Sequence, residues 1–220
     1  MRIGIITGVE EEAAAFLPGE GTERRVGPYN FRLLNHAGHD IAIACCGVGK
    51  VNAALAGTLM MQEHQADILM IIGTAGKLSD KVGDCFRITE ALQGDFGAHR
   101  PTGFTHYTAG SWPIGPAEVE AFTAFALPDI GLPVARIITG DSFVECPDHS
   151  LRLRNALEGD LVDMETGALA QVAALYDVPW AAIKATTDDA NGESVGDFQT
   201  NLLLAARRAA QAAEQSIRLL

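Results

Sequence analysis

The sequence is short of cysteine, of positive charge and of long apolar runs, and each shortage removes a class of protein. Its four cysteines, Cys45, Cys46, Cys85 and Cys146, form no C-x-x-C pair and no metal spacing with histidine, so neither a disulfide scaffold nor a structural zinc site is expected. Cys45 and Cys46 adjoin in a strand-like run and would face opposite sides of a sheet, as small buried hydrophobes in a reducing compartment. Lys and Arg number 16 against 28 Asp and Glu, for a net charge of -12. The only adjacent basic pairs are Arg24 with Arg25 and Arg207 with Arg208. No basic stripe therefore offsets a field that repels phosphate backbones and anionic headgroups, and neither a nucleic-acid nor a membrane partner is expected. No apolar stretch approaches the roughly 20 residues of a spanning helix. The apolar start Met1–Val9 runs into Glu10, Glu11 and Glu12, too short for the core of a signal peptide. These features point to a cytoplasmic protein.

What is present is a chain of 220 residues, 48% hydrophobic and 20% charged. That is apolar enough to fold, with a length for one large domain or two small ones. No linker, repeat or low-complexity tract divides it, and residues 1–220 read as one domain. Strand-like runs lie at Ile3–Thr7, Phe31–Asn35, Ile41–Cys46, Ile68–Ile72, Phe86–Ala91, Ala135–Thr139 and Trp180–Ala185. Helical spacing lies at Val51–Gln65, Glu165–Tyr176 and Leu202–Leu219. Nearly all-apolar strands alternating with helices are what a sheet covered on both faces requires, which gives a three-layer α/β/α fold. Residues 93–115 mix Gly, Pro and aromatics without periodicity. A loop that long in a compact domain is usually functional, and Phe96, Phe104, Tyr107 and Trp112 suit a substrate lid, a subunit contact, or aromatics packed back onto the core.

Four elements place glycines or acids at strand ends, where open α/β sheets bind ligands. The first strand ends in Ile5-Ile6-Thr7-Gly8 and then presents three carboxylates. These would repel a pyrophosphate at the helix N-terminus, which argues against a nicotinamide or flavin enzyme; they also simply suit the positive end of the helix. Gly47-Val48-Gly49-Lys50 and Gly73-Thr74-Ala75-Gly76 read as two pliable loops. Val162-Asp163-Met164-Glu165-Thr166-Gly167 and Lys184–Ala190 set acids at the ends of two further buried strands, where helix-start and Asx-turn chemistry also explain acids. A sheet that gathers these ends makes one crevice holding Glu12, Glu165 and Asp188. Clustered carboxylates without Cys or His suit a hard cation or glycosyl chemistry through a cationic transition state, and the residues alone leave both open. The six histidines lack metal spacing; His106, within the aromatic loop, is the one candidate for ligand contact.

Taken in order, MRIGIITGVEEEAA, GVGKVNAALAGTLM, ADILMIIGTAGKL, KVGD, TGDSFV, VDMETGALAQVA and KATTDDA resemble the bacterial methylthioadenosine/S-adenosylhomocysteine nucleosidases of the purine nucleoside phosphorylase superfamily. The blocks keep the family's order over most of the chain outside residues 93–133. The resemblance implies a central mixed, mostly parallel twisted sheet. It also implies a homodimeric hydrolase that releases adenine from 5'-substituted nucleosides such as 5'-methylthioadenosine or S-adenosylhomocysteine, with no metal and no organic cofactor. On that pattern Glu12 activates the attacking water and Asp188 protonates purine N7. Glu165 holds the ribose hydroxyls, with Met164 against the sugar and Asp163 as a second ribose-side contact. Phe143 stacks on the base, Val144 reads the adenine edge through its backbone, and Phe198 closes over the 5' substituent. Thr74 keeps a hydroxyl where serine is usual. The chemistry agrees, because cleavage builds positive charge on the sugar and negative charge on the leaving purine.

Three further departures stand out. Asp163 replaces glutamate, Lys77 replaces a glycine, and Lys184 replaces an arginine, giving a point charge in place of a planar fork beside Asp188. The stretch Gln93–Ala98 is similar to the futalosine hydrolases, sister enzymes acting on a nucleoside with a larger 5' group. A phosphate-dependent purine nucleoside phosphorylase is the other alternative, but it would need arginines to clamp the anion, and no arginine pair adjoins a strand-end glycine.

Overall fold

A computed structural model describes residues 1–220. Strand β1 (Arg2–Thr7) leads to helix α1 (Glu10–Ala15), the hairpin β2 (Thr22–Val26) and β3 (Tyr29–His36), and then β4 (His39–Cys45). Helix α2 (Lys50–Leu59) ends in a π-helical turn, Met60–His64, and is followed by β5 (Ile68–Lys77) and β6 (Cys85–Gln93). The short strands β7 (Gly97–Arg100), β8 (Gly103–His106) and β9 (Phe122–Thr123) precede β10 (Val134–Thr139), α3 (Pro147–Leu157) and β11 (Leu161–Asp163). The chain closes with α4 (Thr166–Tyr176), β12 (Trp180–Asp188) and α5 (Ser194–Ile217).

The main sheet runs β11-β10-β6-β12-β5-β1-β4-β3-β2, and β4, β1, β5 and β12 at its centre are mutually parallel. Both faces are buried, and the alternation of the strands sorts their side chains between them. Ile3, Ile5, Ile68, Met70, Ile72 and Ile183 pack with the alanine face of α5 (Ala205, Ala209, Ala213) and with Phe16. Ile6, Leu69, Ile71 and Ala182 pack on the other side with Ala53 and Ala56 of α2 and Leu169 and Ala173 of α4. This is the expected three-layer architecture. Helix α3 covers a smaller core of Leu92, Ile138, Leu153, Leu157 and Val162.

Several elements differ from the expectation. Gly73–Gly76 is not a loop but a continuation of β5, paired with β12 from Leu69 to Gly76. Residues 93–115 are not wholly irregular, because β7 and β8 form a hairpin there. Strand β2, Thr-Glu-Arg-Arg-Val, was invisible to apolar periodicity because only Val26 is buried. The sheet also closes on itself: β11 pairs antiparallel with β5, so β5, β12, β6, β10 and β11 form a ring. Register across this ring sets Gly76 level with both Asp188 and Val162, and Thr139 level with both Gln93 and Asp163.

Candidate active site

A cavity of about 370 Å³ opens at this rim, and Glu12, Thr74, Phe143, Val144, Asp163, Met164, Glu165, Asp188 and Phe198 all line it. The structure thus brings together all nine site residues that the resemblance implied, though not His106, from β5, β11 and the turn after it, β12, the start of α1, the start of α5 and the segment after β10.

Glu12 sits at the third position of α1, where a glutamate can reach back to the helix start. Its Oε2 accepts hydrogen bonds from the amides of Gly8 (2.9 Å) and Val9 (3.2 Å). Its Oε1 accepts from the Thr74 amide (2.7 Å) and the Thr74 hydroxyl (2.8 Å). Four donors thus hold a buried carboxylate in one orientation, and the helix-start explanation accounts for only part of this, since two of them come from β5. Arg32 secures the other end of the helix by donating to the carbonyls of Ala13, Phe16, Leu17 and Glu20 at 2.6 to 2.9 Å, a cap that sequence reasoning missed for want of any local signal.

Glu165 is buried at the start of α4 and accepts from the Gly49 amide at 3.0 Å. Gly49 stands at φ +105, a conformation in which a side chain would be strained. Burial and the neighbouring Asp163 push the Glu165 carboxyl up to about 7, against the opposing pull of Lys184 and the Gly49 amide. Asp163 lines the cavity, yet its carboxylate is already engaged. It pairs with Lys184 Nζ at 2.9 Å, with both side chains only 2% exposed. It also accepts from the hydroxyl of Thr139 at 2.6 Å and from the hydroxyl of Thr166. Lys184 therefore serves Asp163 and not, as the sequence suggested, Asp188. Burial alone would lower the Lys184 ammonium, but Asp163, Glu165 and Glu12 outweigh it and hold it above its ordinary value.

Asp188 accepts from the Ala190 amide at 2.9 Å and the Thr187 hydroxyl at 2.8 Å. Opposite the carboxylates, the rings of Phe143 and Phe198 meet edge to face, 6.0 Å apart at 82°. Phe198 thus belongs to the cavity wall as well as to the first turns of α5. His106 falls elsewhere, in a neighbouring cavity with His99, Phe104 and His149. Among these residues no group of three or more His, Cys, Asp or Glu is arranged to hold a metal ion, and the first cavity has no Lys or Arg in its wall to clamp a phosphate.

At the rim of a closed strand ring, four carboxylates, Glu12, Asp163, Glu165 and Asp188, and an aromatic pair thus gather around one cavity of an α/β scaffold. Residues 2–218 match the model of the phosphorylase superfamily, and the chain belongs to that family. The 5'-methylthioadenosine/S-adenosylhomocysteine nucleosidase of Listeria monocytogenes serotype 4b is 31% identical over 96% of each chain. The solved structure of the Streptococcus pneumoniae nucleosidase of the same name, with the transition-state inhibitor MT-ImmA, is 25% identical and superposes with a TM-score of 0.85 over 99% of both chains. The futalosine hydrolase of Helicobacter pylori shares the fold at 21% identity, with a TM-score of 0.85 over 100% of this chain and 98% of that one.

Proposed function

We propose that this chain hydrolyses the N-glycosyl bond of 5'-substituted adenine nucleosides, of which 5'-methylthioadenosine and S-adenosylhomocysteine are the leading substrates. The observation that carries the reading is the meeting of Glu12, Glu165 and Asp188 in one cavity with the Phe143–Phe198 wall. Glu12, fixed by four donors, takes a proton from a water that attacks the anomeric carbon. Glu165 binds the ribose hydroxyls, with Met164 against the sugar, and the carboxylates favour the positive charge that grows on the ribosyl group. Asp188 delivers its proton to purine N7 so that the base leaves neutral. Phe143 stacks on that base, Val144 reads its edge and Phe198 covers the 5' group. Thr74 aims Glu12, and the Asp163–Lys184 pair holds the floor beneath Glu165.

Water rather than phosphate is the acceptor, because a dianion placed beside Glu12 would meet a carboxylate and no cation in the wall. The protein works as a cytoplasmic homodimer. Trp112, 83% exposed, and Ile114, 69% exposed, project beyond the β7–β8 hairpin, and Val51 of α2 is 78% exposed, which suits a subunit contact. The four cysteines are unpaired, and no helix is long and apolar enough to cross a membrane.

The test is base release from methylthioadenosine, S-adenosylhomocysteine, adenosine, inosine and futalosine, each with and without phosphate. Fastest release from the first two, with free sugar as coproduct, is expected. Preference for futalosine would move the chain to that activity, and ribose 1-phosphate would make it a phosphorylase.

A further inference from the structure

Three segments meet beside the cavity without lining it, and their hydrogen bonds form a closed circuit. Lys50 Nζ pairs with Asp95 Oδ1 at 2.6 Å. Asp95 Oδ2 accepts from the Asp141 amide at 2.9 Å, and Asp141 Oδ1 accepts from the Lys50 amide at 2.8 Å. Two of the segments lead directly into a wall. One residue before Lys50, the Gly49 amide holds Glu165. Immediately after Asp141 come Ser142, Phe143 and Val144. The backbone is shaped for this closeness, since a Cβ on Gly49 would lie 3.2 Å from Asp141 Oδ1 and one on Gly140 would lie 3.4 Å from Asp95 Cγ. Lys50 also donates to Gln93 Oε1 at 3.2 Å, and Gln93 donates to Gln171 of α4 at 2.8 Å. The circuit is thereby tied to the helix that begins just after Glu165.

We propose that Lys50, Asp95 and Asp141 act as a positioning clamp that fixes the base-side wall, Phe143 and Val144, relative to the ribose-side carboxylate Glu165. The inference rests on the nucleoside reading of the cavity. None of the three lines it, so they act through Glu165 and Phe143. Their side of the clamp is partly open to solvent, Lys50 at 20% and Asp95 at 36%, and a pair of that exposure adds little to global stability. Its worth is geometric: a ligand that touches both walls at once gains from their being held in register, whereas a ligand touching only one does not.

That asymmetry supplies the test. Asp95→Ala, Lys50→Met and their combination are compared with the unaltered protein for binding of adenine, binding of a non-hydrolysable 5'-thio adenosine analogue, and kcat and KM with methylthioadenosine. The analogue is expected to weaken by about tenfold while adenine changes by less than about twofold, with the double variant no worse than either single one. Asp95→Asn, which keeps the shape and can still accept from the Asp141 amide, should lie between. Unchanged analogue binding and kcat/KM would overturn the clamp, as would an equal loss for adenine and analogue, the mark of general damage. Should Asp95→Ala or Lys50→Met fail to fold, the Asp95→Asn comparison decides alone. If the unaltered protein releases base from no nucleoside, the functional reading fails separately, and the adenine-against-analogue comparison still judges the clamp.

Discussion

Gly73 and Glu12 share a space that a side chain would fill: a Cβ built on Gly73 would lie 2.6 Å from Glu12 Oε1 and 2.7 Å from its Cδ. The carboxylate is seated against the bare backbone of β5, which is how Glu12 reaches the Thr74 amide next door. Gly73→Ala is therefore expected to cut kcat/KM by about 100-fold, the scale of a misplaced catalytic group. The three nearest atoms all belong to the Glu12 carboxyl group, so the substitution displaces the carboxylate from its four buried hydrogen bonds, and the melting temperature should fall by several degrees as well. A variant that keeps full activity would remove Glu12 from the reaction.

Asn in place of Asp188 keeps one oxygen to accept from the Ala190 amide and turns its Nδ2 to the Thr187 hydroxyl as a donor, but it has no acidic proton to give. Asp188→Asn should slow release of free adenine by roughly 10²- to 10⁴-fold, while a nucleoside analogue binds within about threefold of its normal affinity. Wild-type turnover would refute the assignment.

The raised carboxyl of Glu165, about 7 in the folded chain against an ordinary 4.5, makes a statement about stability. The folded state holds that proton more tightly than the unfolded state, so its contribution is complete below pH 4.5 and is lost as pH rises through 7. Glu165→Gln keeps an oxygen for the Gly49 amide and does not titrate. Its melting temperature relative to the parent protein should rise by several degrees between pH 4.5 and pH 8 in the absence of ligand. A difference that stays flat over this range would mean that Glu165 titrates normally.

The Lys184–Asp163 pair is buried almost completely, and removing one member strands the other. Lys184→Met should cost about 3–5 kcal/mol in denaturant unfolding, with part recovered by adding Asp163→Asn. A loss below about 1 kcal/mol would show that Asp163 simply takes up a proton.

The apolar strands and the helices α2, α4 and α5 were legible because each buries residues at the spacing its geometry demands, as Ile3, Ile5 and Ile6 of β1 do, whereas α3, as long as α4 but mostly polar, was missed. The residues that line the cavity were legible through ordered motif blocks, since glycines and acids at single strand ends are ordinary turn chemistry. What else stayed hidden depends on pairing that no segment's own pattern reveals. Strand β2 is exposed and charged and is defined only by its partner β3. The partner of Lys184 was misjudged because Asp188 is close only in sequence, four residues along the same extended strand, whereas Asp163 comes from β11 through the closure of the ring. The clamp joins residues 45 and 46 positions apart, through Lys50, Asp95 and Asp141.

The ring of strands closes without any help from residues 94–133. That segment, with its hairpin, leaves and re-enters the ring between β6 and β10, two strands that already pair with each other. Asp95 at its start and β9 near its end are tied to the clamp and to β6, whereas the hairpin between them could be exchanged by design while the rim that holds the carboxylates keeps its register. The fold thus keeps the strand ends that carry the carboxylates apart from a hairpin none of whose residues lines the cavity, so that a change in the hairpin leaves the wall of that cavity chemically unaltered.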